Sequence, residues 1–557
     1  MKNIVRIIFT VVIAFGCGTS FSQKPSLDKR PNIIIIMADD LGYSDLGCFG
    51  GEIKTPNLDK LASDGLRMTN MHNNARCCPT RASLLTGQYA HKVGLSINGN
   101  ALTKNGATIA ELLKDNGYQT GMVGKWHLSD DITKPSKEEQ LNWLDHHGFA
   151  DDHFASVESY PINRGFQKHY GIIWGVVNYF DPFSLVDGEK IIKNVPKDYY
   201  ITDAINQKSV EYINDFSGNN KPFFMYVAHT APHWPLHAKP EDIAKYKGKY
   251  DFGWDELRKQ RYNRMVKMGL IDPKTTKLID VEGKNPKWEQ LSAQEKEINS
   301  MKMATHAAMI ERLDIGVGQI VETLKKKNIL DNTIIFFLAD NGASPEIPNV
   351  PGYDRSGTTR SGEKMKYDKE VSANEIGSEI SYTGIGSNWA NAANTPYKYW
   401  KIESFEGGIN TPFIINWSGL KTKKGSTNNA LSHVFDIYPT ILELSQTKYP
   451  EKYKENPLTP LDGISLLPVL QGKTSKGRED IFFEHATGKA YIKNNWKLVQ
   501  KTQTQTWELF NLETDRNETT NLFEKESNRA NEMKTAWENW YSSLKPYIKP
   551  RAGSGPR

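Results

Sequence analysis

The stretch that decides the fold is Ile33-Ile34-Ile35-Ile36-Met37-Ala38-Asp39-Asp40-Leu41-Gly42: an unbroken apolar run of strand length, ending in two carboxylates and a turn. A strand with one face in water alternates apolar and polar residues, whereas a continuous run describes a strand covered on both faces, as in a parallel sheet. The same texture returns at Gly121–Val123, Phe223–Val227, Ile334–Leu338 and Phe413–Ile415. Between these runs lie stretches with helical spacing of their apolar residues: Asn57–Leu66, Thr108–Asn116 and Met301–Lys327. The alternation predicts an α/β fold, a large mixed and mostly parallel sheet with helices on both faces. Sheets of this kind bind ligands beyond the carboxyl ends of their strands, so the residues immediately after each run are where chemistry is expected.

From about Ser475 the pattern shortens to alternating segments, Asp480–Glu484, Ala490–Ile492, Trp496–Gln500 and Thr506–Asn511, followed by a helical stretch near Asn528–Leu544. This predicts a smaller α+β subdomain over 475–557 with an antiparallel sheet. The polar, Gly-rich tract Ser344–Asn391 has no clear period and reads as a long, substrate-facing excursion over the rim of the main sheet. No internal repeat or low-complexity tract interrupts the chain.

At 557 residues, 38% hydrophobic and 24% charged, the chain is of ordinary globular composition. Its formal charge of +5 includes Lys2 and Arg6. So small a value excludes a nucleic-acid arm or a polybasic membrane patch. Residues 1–22 read as an export signal: the two basic residues, an apolar stretch from Ile7 to about Gly16, and small residues at Ser20 and Ser22. The competing reading is a lipoprotein signal acylated at Cys17, for which Ala14-Phe15-Gly16 is a poor lead-in. The mature chain, 23–557, is thus expected to be periplasmic or secreted, without an integral membrane segment. It keeps Cys48, Cys77 and Cys78, too few and of odd number for a disulfide framework.

Asp39 and Asp40 stand at a strand's carboxyl end, where two carboxylates repel unless a cation neutralises them. The run Ile334–Leu338 ends alike, in Ala339-Asp340-Asn341-Gly342. Two oxygen-rich strand ends can meet at one rim of a parallel sheet, and three carboxylates with one amide suit a hard cation such as Ca²⁺ or Mg²⁺. Three histidines at a spacing of four, His229, His233 and His237, would form one helical face, but Pro232 and Pro235 forbid the helix.

The densest signal is Arg76-Cys77-Cys78-Pro79-Thr80-Arg81-Ala82-Ser83-Leu84-Leu85-Thr86-Gly87, which reads as a turn feeding a helix over Arg81–Leu85. The string Cys77-x-Pro79-x-Arg81 with its Leu-Thr-Gly resembles the maturation signature of the type I, formylglycine-dependent sulfatases of the alkaline phosphatase superfamily, and especially their bacterial arylsulfatase branch. The resemblance extends to Gly124-Lys125-Trp126-His127, to His233 before Trp234-Pro235, and to Lys401 ahead of Gly407-Gly408, Lys398 being its neighbour. It implies that a maturase converts Cys77 to formylglycine, while Cys78 stays inert. It also implies that one Ca²⁺ is held by Asp39, Asp40, Asp340, Asn341 and residue 77 itself. The hydrated aldehyde would attack sulfur, Arg81, Lys125 and Lys401 would offset charge, His233 would protonate the leaving alcohol and His127 would act as the base that regenerates the aldehyde. The implied catalytic domain is 23–474 and the implied substrates are sulfated carbohydrates or aryl sulfates. The roles left open are those of His229 and His237, either beside the substrate or purely local, and of His485, which could reach the pocket. Two other functions stay open: a phosphomonoester or phosphonate-monoester hydrolase of the same superfamily, and a non-catalytic binder of sulfated glycans.

Overall fold

The computed structural model describes residues 30–145, 152–280, 286–485 and 488–548; the leader expected over 1–22, with Cys17, lies outside the described residues. The main sheet uses β1 (Asn32–Ala38), β2 (Leu66–His72), β3 (Gln119–Gly124), β4 (Lys168–Ile172), β5 (Leu185–Asp187), β6 (Lys190–Ile191), β7 (Phe223–Ala228), β8 (Thr333–Ala339), β9 (Asn410–Asn416), β10 (Ser426–Asn428) and β11 (Ser432–His433). Their order is β10-β2-β9-β8-β1-β7-β3-β4-β5-β6, with β11 also on β2. The central five, β8-β1-β7-β3-β4, are parallel. β9 runs antiparallel to β2 and β8, as β5 does to its neighbours β4 and β6. The sheet is mixed and mostly parallel, and each of the five apolar runs lies in one of its strands.

Side chains alternate across β1. Ile34, Ile36 and Ala38 pack with α1 (Pro56–Asp64), α3 (Ile201–Phe216) and α4 (Ala293–Lys326), whereas Ile33, Ile35 and Met37 pack with α2 (Cys77–Thr86) on the other face. All six are fully buried. Each isoleucine contributes roughly 1.5–3 kcal/mol, so a charge anywhere in Ile33–Ile36 would break the centre of the sheet.

Register carries this packing to the site. Ala38 pairs with Ala339, which sets Asp39 and Asp40 beside Asp340 and Asn341. Met37 and Gly124 both pair with Ala228, which sets Lys125 and His229 on the same rim. Gly124 has φ +103°, and a Cβ there would lie 1.9 Å from the Ala228 carbonyl oxygen, so the turn into Lys125 admits only glycine.

Three expected elements shift. The helix expected to run to Leu66 stops at Asp64, because Gly65 packs against the β9 backbone and Leu66 already belongs to β2. α4 begins at Ala293, eight residues before Met301, under a Ser292/Glu295 capping box that is legible as Ser-x-x-Glu. The Ser344–Asn391 tract holds a short parallel pair, Lys366–Tyr367 with Ser381–Tyr382, and enters a helix, Gly386–Ala393, whose Trp389 is buried against Trp254 and Trp288.

The C-terminal sheet is an antiparallel meander of β12 (Asp480–His485), β13 (Gly488–Lys493), β14 (Trp496–Gln500) and β15 (Trp507–Asn511). One face, with Ile481, Phe483, Ile492 and Val499, packs on Tyr399, Phe405 and Ile409 of the main body. The other, with Tyr491, Leu498 and Leu509, is covered by α5 (Ser527–Leu544) through Ala530, Met533 and Trp537. No helix among the described residues is long and apolar enough to cross a membrane.

Candidate active site

At the carboxyl ends of β1 and β8, Asp39, Asp40, Asp340 and Asn341 converge in full burial. The Asn341 amide donates to Asp40 Oδ1 at 2.6 Å, and the Asp40 N–H donates to Asp340 Oδ1 at 3.2 Å. Three cations close on the carboxylates. Arg81 donates to Asp340 Oδ2 through Nε at 3.1 Å and Nη2 at 2.7 Å. Lys125 Nζ reaches Asp39 Oδ2 at 2.5 Å, and Lys401 Nζ reaches Asp40 Oδ2 at 3.0 Å. Even so, burial and the neighbouring Asp340 raise the Asp39 and Asp40 carboxyls above the usual range. Asp340 is also buried, but Arg81 and Lys125 outweigh that and hold it low. Asp39 Oδ1 and Asn341 Oδ1 are buried with no hydrogen-bond donor. Crowded carboxylates and two unpartnered hard oxygens fit a divalent cation. His233 offers a nitrogen within 4.8 Å of Asp39 and Asp40, a further donor available to such an ion.

Cys77 is the first residue of α2, so the helix starts four residues earlier than Arg81. Pro79 is tolerated in its first turn, where the missing N–H has no intrahelical acceptor anyway. The loop before it is stapled: the Asn74 amide donates to Ser83 Oγ and the Pro79 carbonyl, and Asn73 Oδ1 accepts from the Ala75 N–H. Ile402 N–H in turn donates to the Ala75 carbonyl at 2.8 Å, which seats Lys401 beside this loop. Lys398 points elsewhere, over the rings of Phe405 and Phe510. Cys78 turns the other way into the apolar cluster behind α2. Burial pushes the Cys77 thiol up against the opposing pull of Lys125 and Lys401, so as a cysteine it stays protonated.

Cys77, His127, His233 and Lys401 line one cavity of about 230 Å³. Nδ1 of His233 lies 2.6 Å from the Trp234 carbonyl and donates to it, leaving Nε2 to accept from Lys401 Nζ at 3.2 Å. The His127 ring lies against Gly175, where any Cβ would come within 2.4 Å of it, and its Nδ1 has no partner. Burial, aided by Lys401 at His233 and by Lys125 at His127, holds both imidazoles well below their ordinary value, so both are neutral.

Arg81 and Lys125 do not line the cavity: they lie beneath it, spent on Asp340 and Asp39. His229 and His237 do not line the cavity either. His229 is buried with both ring nitrogens unpartnered, and His237 is fixed between the Tyr179 N–H and the Ser381 carbonyl. His485 is buried near the Ser96 carbonyl and does not line the cavity. The sequence reading missed Glu346, which lies in the tract without a period. Its Oε2 accepts from Lys401 Nζ at 3.0 Å, Trp234 Nε1 at 3.0 Å and Ser344 Oγ at 3.1 Å, and against burial the charges of Lys401 and Arg76 with the Trp234 hydrogen bond hold its carboxyl below the usual range.

Comparison with known proteins agrees with this geometry. The Sulfatase family model matches residues 31–447, and the model for the C-terminal part of N-sulphoglucosamine sulphohydrolase matches 398–540. The arylsulfatase of Klebsiella aerogenes is 33% identical over 468 residues, 81% of this chain and 95% of its own length. The N-acetylglucosamine-6-O-sulfatase of Bacteroides thetaiotaomicron is 26% identical, over 94% of this chain and 88% of its own. The solved structure of Ps i-CgsB with k-i-k-neocarrahexaose superimposes with a TM-score of 0.63 at 26% identity, over 92% of each chain. The chain belongs to the sulfatase family and is a sulfuric ester hydrolase.

Proposed function

We propose that this chain is an exported sulfatase that cleaves sulfate monoesters of a glycan or aryl alcohol, using an oxidised residue 77 and one divalent cation, Ca²⁺. The observation that carries the reading is a single cavity in which Cys77 at a helix N-terminus meets Lys401, His127 and His233 above the Asp39, Asp40, Asp340 and Asn341 cluster. A helix N-terminus with a facing ammonium favours an anion such as sulfate. The names of the relatives, an arylsulfatase and an N-acetylglucosamine-6-O-sulfatase, support an ester on an aromatic or sugar alcohol. We read 23–474 as the catalytic domain, 475–557 as its C-terminal subdomain, and 1–22 as the export signal.

A protonated thiol is a weak nucleophile, so the buried Cys77 suits oxygen chemistry after maturation to formylglycine by a dedicated enzyme. The cation, held by Asp39, Asp40, Asp340, Asn341 and residue 77, would polarise the sulfate ester. Arg81 keeps Asp340 ionised and oriented, and Lys125 orients Asp39. Lys401 offsets charge growing on the sulfate oxygens, and His233, once protonated at Nε2, passes that proton to the departing alkoxide. An anionic ester in the cavity raises the proton affinity of His233, which is neutral without one. His127, also neutral, takes the proton from the remaining hydroxyl of residue 77, so that the carbon–oxygen bond to sulfate breaks, sulfate leaves and the aldehyde is restored.

The test is a steady-state comparison of nitrophenyl sulfate, phosphate and phosphonate esters, together with the mass of the peptide bearing residue 77. Sulfate preferred and an aldehyde at 77 are expected. A preference for phosphate or phosphonate, or full activity with an unmodified Cys77, would refute the reading.

A further inference from the structure

Beyond residue 77, the histidines and Lys401, the outer wall of the cavity is made by Asn98, Asp131, Trp174, Tyr353, Asp354 and Arg355. This wall is built, not draped. Trp174 donates from Nε1 to the Phe154 carbonyl at 2.6 Å and packs edge-on against Trp143 and Phe183. The Tyr353 ring stacks on Trp174, with centroids 5.6 Å apart at 27°, and its hydroxyl donates to the Asp131 carboxylate. Reciprocal backbone bonds of 2.9 and 2.7 Å close the turn between Gly352 and Arg355, and Gln140 Nε2 anchors the Tyr353 carbonyl at 2.7 Å. Arg355 Nη1 lies 3.2 Å from Asp354 Oδ1.

Three properties of the wall bear on the alcohol half of the substrate. The whole cavity, about 230 Å³, is smaller than the roughly 300–1,000 Å³ typical of drug-sized pockets, so it holds a sulfate with one ring and not two. Two carboxylates and a guanidinium face that ring; a bare aryl group would strip their water and return no hydrogen bonds, whereas ring hydroxyls donate to the carboxylates and accept from Arg355. Arg76, Arg355 and Lys401 balance Asp131, Glu346 and Asp354 around the cavity, so beside the sulfate already bound a second sulfate or a carboxylate on the ring meets no surplus positive charge.

We propose that the wall is a subsite for a single uncharged sugar ring, which makes the enzyme exo-acting on terminal, singly sulfated sugars. The inference rests on the sulfatase reading and deepens it. The test measures kcat/KM on four substrates: nitrophenyl sulfate, a neutral monosaccharide monosulfate, and trisaccharides with that sulfated ring at the non-reducing end or in the middle. A disulfated monosaccharide is added. The monosaccharide and the terminal ring are expected to be turned over within about tenfold of one another, and the internal and disulfated rings about a hundredfold more slowly. Asp354→Asn and Tyr353→Phe should each lower the sugar-to-aryl ratio of kcat/KM about tenfold. Equal rates on internal and terminal rings, preference for the disulfated sugar, or an unmoved ratio in both variants would overturn the subsite. Failure on every sulfate, nitrophenyl sulfate included, would overturn the sulfatase reading beneath it.

Discussion

Cys77 and Cys78 are neighbours of equal burial, 2% and 1% exposed, and this makes them a controlled pair. Replacing either by alanine removes one sulfur from a packed environment. The loss is comparable to one methylene, about 0.8 kcal/mol of transfer free energy, and a small unfilled space adds a similar amount. Each variant should therefore lose about 1–2 kcal/mol, a shift of only a few degrees in Tm for a chain of this size. Activity should separate them completely. Cys77 faces the cavity with Lys401 and both histidines, so Cys77→Ala removes the nucleophile and should lower kcat by about 10⁴-fold or more. Cys78 packs behind α2 among Ala82, Leu85 and Tyr438, so Cys78→Ala should keep most of its turnover. The assay pairs thermal unfolding with nitrophenyl sulfate hydrolysis on protein matured in the same host. Equal loss of activity in both variants, at equal Tm, would show that the motif register is wrong.

Asp340→Asn removes one of three carboxylates and the anionic partner of Arg81, so Ca²⁺ affinity measured by calorimetry should fall about tenfold or more; unchanged affinity, or activity indifferent to exhaustive chelation, would remove the metal assignment. His233→Ala should slow sugar sulfates, with poor leaving groups, far more than nitrophenyl sulfate, and the same signature from His229→Ala instead would exchange their roles. His127→Ala should release a burst of one alcohol per site without a matching release of sulfate; steady release of both would exclude it as the base. Acid stability follows from burial: His229 is pushed down to about 3 by desolvation alone, so the unfolded chain binds a proton below pH 6.5 that the folded chain refuses. Stability from this group is present above 6.5 and lost as pH falls. His229→Leu should flatten the fall in Tm between pH 6 and 4 by the equivalent of about 1.4 kcal/mol per pH unit, and identical profiles would show that His229 gains a partner or water on protonation.

The centre of the fold was legible because its strands are apolar without interruption. Ile33–Met37 and Ile334–Leu338 can pair in register only as neighbours in a doubly covered sheet, and that pairing alone brings Asp39 and Asp40 to Asp340 and Asn341. β2 was not legible, since Leu-Arg-Met-Thr-Asn-Met-His mixes polar residues into a strand near the sheet's edge. The outer wall was hidden for a different reason: Asp131, Trp174 and Tyr353 come from three separate loops, and no period links residues that meet only through folding. Arg81 and Lys125 were found by their motifs, but their depth was not, because a sequence does not reveal which cation a buried carboxylate will capture.

The same blindness to pairing concealed how the two parts of the chain depend on each other. Glu406, next to the Gly407-Gly408 pair, is fully buried, as a lone carboxylate almost never is. Its partners come largely from the C-terminal part: Lys497 Nζ at 3.0 Å and Arg516 Nη2 at 2.9 Å, with His72 of β2 at 3.3 Å. Lys497 also holds Glu518 at 2.6 Å, and Glu518 accepts from the Glu406 N–H at 2.9 Å. Burying one such charge without its partner costs several kcal/mol, so the C-terminal sheet and the segment after Lys401 stabilise one another. That segment returns through β9 to the sheet, and its Lys401–Ile402 end is the one tied to the Cys77 loop by the Ile402–Ala75 hydrogen bond. The C-terminal meander, which contributes no cavity-lining residue among those described, therefore positions Lys401 from behind.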